Sequence, residues 1–120
     1  MSSEKFNFEK LMVYERSLEF SIELCRKASD FPIKFSRLRD QLIGAAISVP
    51  LNIAEGSGRK TSKDKINFYK TARASIFECI PILEISYGLD LIDNDYLSKF
   101  RREISEISKM LSGLMNFLTQ

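Results

Sequence analysis

The residues with most chemistry to offer are cations. Arg59, Lys60, Lys63, Lys65, Lys70 and Arg73 put six positive charges into fifteen residues against one acid, Asp64. Such a run attracts phosphates, because each cation that neutralises a backbone phosphate releases condensed counterions. Arg59 and Lys60 fall on a glycine-rich loop, while Lys63 and Lys70 share one face of the following helix with Ile66 between them. Smaller groups, Lys34, Arg37 and Arg39 upstream and Lys99, Arg101 and Arg102 downstream, belong to the other end of an antiparallel bundle. Arg37 and Arg39 are candidates to support the main cluster. The bland alternative is a solvated face that keeps the protein soluble. Phe68 and Tyr69 are the rings near the cluster and both sit on apolar stripes, which favours recognition of phosphates and shape over base stacking.

A second group is polar and lies on otherwise apolar faces: Asn52, Glu55, Ser75 and Glu78. A carboxylate pair such as Glu55 and Glu78 is capable of acid-base work, or of holding a hard cation with water. The preferred reading is a hydrogen-bonded network, closed by Arg73, that fixes helix register, since a di-metal bundle site needs more carboxylates and usually histidines. The chain has no histidine. That excludes Ser-His-Asp and Cys-His catalysis, histidine metal sites and a histidine pH switch. Cys25 and Cys79 stand far apart, each within an apolar-periodic segment, and read as core fillers. No catalytic residue, metal site or cofactor is expected.

The elements that must position these groups are helical. At 120 residues, 44% hydrophobic and 28% charged, the chain suits one domain, residues 1–120, and its net charge of only +2 leaves distribution as the source of any attraction to nucleic acid. The first helix is expected over 8–29, with Asn7 as N-cap and Phe8, Leu11, Leu18, Ile22 and Cys25 facing the core. Val13, Phe20 and Leu24 then align on nearly the opposite face. One bundle core does not need that second stripe, so it is assigned to an oligomer contact rather than to scattered surface hydrophobes. The second helix, 36–57, follows Phe31-Pro32 and turns Phe35, Leu38, Leu42, Ala45, Val49 and Ile53 inward. Its other side, with Ile43, Ala46, Ile47, Leu51 and Ala54, is also apolar, so it is expected to be buried twice. Pro50 leaves two options there, a kink or a break into two helices.

The third helix is expected over 63–89, with Ser62 as N-cap, a bend at Pro81 and Gly88 as the closing cap. The fourth, 94–118, is capped by Asp93 or Asn94 and carries Leu97, Phe100, Ile104, Ile107, Leu111, Leu114 and Leu118 at heptad-like spacing. Short connections between four such helices give an all-α, antiparallel up-down-up-down four-helix bundle. The longest uncharged stretch, residues 41–54, is 14 residues and too short to span a membrane, and no signal-peptide pattern opens the chain; a cytoplasmic protein without a membrane partner is expected.

The run QLIGAAISVPLNIAEGSGR at residues 41–59 resembles the signature of the bacterial four-helix-bundle proteins encoded in 23S ribosomal RNA intervening sequences. FEKLMVY at 8–14, Phe31-Pro32, FYKTARAS at 68–75 with Glu78, and KMLSGL at 109–114 extend the resemblance over nearly the whole chain. It implies a left-handed bundle assembled as a ring-shaped homopentamer, with no known enzymatic activity and with structured RNA as ligand. The accessory protein of diversity-generating retroelements is similar in fold, and binds a reverse transcriptase and nucleic acid through a basic pentameric surface. The expectation is therefore a non-catalytic, oligomeric RNA-binding bundle. The alternative is a scaffold that recruits a protein encoded beside it.

Overall fold

The computed structural model describes residues 11–120, so Asn7 and Phe8 of the expected first helix lie outside the described residues. Four α-helices follow in order: α1 (Met12–Ala28), α2 (Ser36–Ser57), α3 (Ser62–Gly88) and α4 (Asn94–Leu118). A short 3-10 turn, Ile33–Phe35, leads into α2. The described residues contain no strand, and none of their helices is long and apolar enough to cross a membrane.

Cross-helix pairings establish the directions. Arg16 pairs with Glu106 and Glu23 with Lys99, so α4 runs down as α1 runs up. Ser48 meets Ser75 and Ser57 meets Tyr69, which sets α2 against α3 in the same sense. Glu84 reaches Arg101 across α3 and α4. Each helix packs on its two neighbours in the cycle, the arrangement of an up-down bundle.

The helix ends follow from local chemistry. Thr61, not Ser62, is the N-cap of α3: its hydroxyl accepts the Asp64 N–H at 3.1 Å, and Ser62 is already helical. Asp93 caps α4 in the same way through the Tyr96 N–H at 2.9 Å. Gly88 does not close α3 but is its last residue. Asp90 takes the left-handed conformation, φ 62°, while the Leu91 N–H bonds the Ser86 carbonyl and the Asp90 N–H that of Tyr87. The α2 helix runs unbroken through Pro50, and α3 through Pro81. In α2 the proline ring is buried.

One expectation about faces is reversed. Val13, Phe20 and Leu24, assigned from sequence to an oligomer contact, are in the core of the protomer itself, at 5%, 1% and 0% exposure. Leu18 and Ile22, expected in the core, are exposed. Small residues mark the buried face: Ser17, Ser21 and Ala28 lie on it with Val13, Phe20 and Leu24. The hydroxyl of Ser17 bonds the Tyr14 carbonyl at 2.9 Å, that of Ser86 the Ile82 carbonyl at 2.8 Å, and that of Ser108 the Ser105 carbonyl at 2.9 Å. A serine whose hydroxyl is satisfied by its own helix packs much as an alanine would. The second apolar face of α2, expected to be buried, is covered only in part within the protomer: Ala46 is buried and Ile43 and Ala54 half-buried, but Ile47 and Leu51 are exposed.

Candidate nucleic-acid interface

The α2–α3 corner is built around a close approach. A Cβ on Gly56 would sit 2.8 Å from Tyr69 Cε1 and 3.0 Å from Phe68 Cβ, so the position accepts no larger side chain without displacement. Tyr69 in turn shares a hydrogen bond with Ser57 at 3.0 Å. The helices are thereby brought together next to the turn that carries Arg59 and Lys60.

The six predicted cations separate into two kinds. Lys65 is an anchor: its ammonium donates to the Ser57 carbonyl at 2.9 Å and satisfies the C-terminal end of α2. Arg59 is held in place by Glu55 at 2.9 Å and lies over the Phe68 ring at 4.6 Å from its centroid. Lys60, Lys63 and Lys70 are exposed and make no ion pair among the described residues. Arg73 is exposed as well, its guanidinium 5.5 Å from the Phe77 centroid. The corner therefore presents four open charges, with Lys63, Lys70 and Arg73 on one face of α3, and a fixed arginine over Phe68 on another.

Arg37 and Arg39 do not join this cluster. They lie at the opposite end of α2, about 33 Å away for its 22 residues. Arg39 is occupied by Asp40 at 3.0 Å, and Arg37 lines a separate groove with Lys34, Leu38 and Gln41.

The expected polar network forms only in part. Asn52 donates to the Ser48 carbonyl at 2.7 Å and to its hydroxyl at 2.9 Å, and that hydroxyl meets Ser75 across the helix pair, also at 2.9 Å. Ser48, which the sequence reading passed over, is the linking residue. Glu55 turns to Arg59 instead, Glu78 is exposed, and Arg73 lies on Phe77 rather than in the network. The described residues contain no group of three or more acidic or cysteine side chains placed to hold a metal. Burial pushes the Cys79 thiol up to about 12, with the charge of Glu78 adding to the effect, and burial also raises Cys25. Both thiols stay protonated at neutral pH and are poor nucleophiles.

Two grooves flank the corner. Between α1 and α2 lies an apolar groove of about 690 Å³ lined by Leu18, Ile22, Cys25, Ile47, Pro50 and Leu51. Between α3 and the last turns of α4 lies a more polar one of about 350 Å³, which combines Lys70 and Arg73 with Asn116 and Thr119. The α4 side of this second groove was not singled out from sequence, because its residues stand far along the chain from the cations they face.

A sequence model of the family described as 23S rRNA-intervening sequence protein matches residues 9–113. The crystal structure of a protein of unknown function, from the S23 ribosomal protein family of Bacteroides thetaiotaomicron VPI-5482, aligns with a TM-score of 0.80 and 21% identity. The alignment covers 87% of this chain and 95% of that one. At that identity the likeness concerns the fold. Comparison with curated proteins gives no match.

Proposed function

The chain belongs to the 23S rRNA-intervening sequence protein family, and on that premise we propose that it is a non-catalytic, cytoplasmic protein that binds structured RNA through its basic corner as a ring of identical subunits. The observation that carries this reading is the set of open cations Lys60, Lys63, Lys70 and Arg73 on one end of the bundle. The reading is supported by the concentration of open cations on one face of α3 and the adjoining turn, which gives a local positive field that a net charge of +2 does not.

Assembly multiplies the corner. A ring repeats it around one rim, so that several weak phosphate contacts act together. The resemblance noted from sequence implies five subunits. The contact surface is assigned to the α1–α2 groove, because Val13, Phe20 and Leu24 are used within the protomer, whereas Leu18, Ile22, Ile47 and Leu51 are exposed large apolar side chains gathered around that one groove.

Size-exclusion chromatography with light scattering, run with and without a structured ribosomal RNA fragment at two salt concentrations, tests both parts. A particle of about five subunits that shifts onto RNA only at low salt is the expected outcome. Charge reversal at Lys60 and Lys63 should lower affinity and reduce the salt slope by about 0.7–0.9 for each lost phosphate contact. An unchanged slope removes the corner from the interface. The same apolar groove favours a second reading, a scaffold that recruits another protein; a partner retained on the protein after nuclease treatment and lost with Leu51→Glu would support it.

A further inference from the structure

We propose that the groove between α3 and the end of α4 receives one unpaired nucleotide of the bound RNA, the base lying on Ile66 and Met115 and its phosphate meeting Lys70 and Arg73. This rests on the RNA-binding reading above and assigns a ligand class to a specific part of it. The groove joins three kinds of surface. Its floor is apolar, with Met115 buried and Ile66 half-buried. One rim carries two open cations. The other rim, on α4, carries Ser112 and Asn116, whose side chains make no hydrogen bond among the described residues, so that a hydroxyl and a carboxamide remain available.

A ligand that matches needs an anionic end, a flat apolar body and hydrogen-bonding edges, and a nucleotide has all three. The carboxamide offers a donor and an acceptor side by side, the pattern that reads the edge of a base. A volume of about 350 Å³ lies at the low end of the roughly 300–1,000 Å³ usual for small-ligand sites. A base paired inside a duplex is not available to such a site, because its faces are stacked and the A-form major groove is too deep and narrow for side chains. A base in a bulge or loop is splayed out and exposes both face and edge. The absence of an aromatic platform is made good by aliphatic and thioether surface, which adapts to any of the four bases. The groove lies beside the corner, since the first half of α3 and the last turns of α4 occupy the same end of the bundle.

Two RNAs test this, one a fully paired hairpin stem closed by a tight tetraloop, the other the same stem with a two-nucleotide bulge, both titrated by fluorescence anisotropy at one salt concentration. The native protein should bind the bulged RNA about tenfold more tightly. Asn116→Ala should reduce that preference about fivefold, the loss of roughly one hydrogen bond, with affinity for the paired stem unchanged. Lys60→Glu should weaken both RNAs equally. Equal affinity of the native protein for the two RNAs, or an Asn116→Ala variant that keeps the full preference, overturns the groove assignment and leaves the RNA-binding reading standing. Binding to neither RNA at low salt overturns both. Adenosine 5′-monophosphate followed by amide chemical shifts gives a direct check, with Ser112 and Asn116 moving if the nucleotide is seated there and remaining still if it is not.

Discussion

The α2–α3 and α1–α4 seams of the bundle are joined by different means. Along the first, backbones approach closely over Gly56, and Ser48 and Ser75 share a hydrogen bond at 2.9 Å. Along the second, contact is sparser and charge borders the apolar centre: Arg16 pairs with Glu106, Lys99 with Glu23, and the half-buried Glu103 sits among them. The apolar part of that seam is the edge-to-face pair Phe20 and Phe100, with ring centroids 5.9 Å apart. The difference teaches where rigidity is placed. The seam next to the basic corner is held by shape, which salt does not weaken, whereas exposed ion pairs of the other kind contribute little and are screened.

Three substitutions break or sharpen this contrast. Phe20→Ala has the largest expected effect, a loss of about 3–5 kcal/mol of stability by urea denaturation, because the cavity and the lost ring pair fall on the seam with least other contact. A loss below about 1 kcal/mol, within the range of exposed ion pairs, would mean that charge, not the phenyl pair, holds α1 to α4. Gly56→Ala comes next. Overpacking against Tyr69 costs about 1–3 kcal/mol and outweighs a gain of up to about 1 kcal/mol in helix propensity, leaving a net loss near 1 kcal/mol. A variant more stable than the native protein would show that the close approach yields easily.

The smallest effect has the opposite sign. Burial, and then the neighbouring charge of Glu23, raise the Glu103 carboxyl above its ordinary value, so the folded state holds this proton more readily than the unfolded chain. Ionised Glu103 therefore costs stability at neutral pH, and the cost fades as pH falls through the folded value toward the unfolded one. Glu103→Gln should raise the midpoint of thermal unfolding slightly at pH 7, by an amount that shrinks in acid. Lys99 behaves as a partner should: the hydrogen bond from its ammonium to Glu23 raises it, and what it contributes is lost only as pH rises through that raised value. A lower midpoint for Glu103→Gln at pH 7 would show that Arg16 and Lys99 hold the carboxylate more strongly than burial opposes it.

Much of the frame was legible in the sequence. The extents of α2, α3 and α4, the cap at Asp93 and the grouping of cations toward one end follow from periodicity, capping chemistry and short connections, all of them local properties, whereas α1, expected from residue 8, begins at Met12 after an extended Leu11. The face of α1 was not legible in this way. Its apolar residues are balanced between two stripes, and the buried one includes Ser17 and Ser21, which a hydrophobicity count scores as polar but which are small enough for the core, Ser17 with its hydroxyl bonded to the Tyr14 carbonyl. The basic corner was half legible. That Lys65 is spent on the Ser57 carbonyl, and Arg59 on Glu55 and Phe68, depends on partners that only folding brings near. The α4 rim of the smaller groove is a wholly tertiary feature.

The connection from α3 to α4 sets a rotational phase. Residues 89–93 have little slack: the Leu91 N–H is tied to Ser86, Asp90 holds its left-handed turn and Ile92 is buried. An α-helix advances about 100° for each residue. With both ends of the connection pinned, one residue inserted or removed there would turn α4 about its own axis by that angle, carry Phe100 away from Phe20 and swing Asn116 out of the groove it shares with Lys70. The length of this turn, more than its composition, thus keeps the core and the nucleotide groove in step.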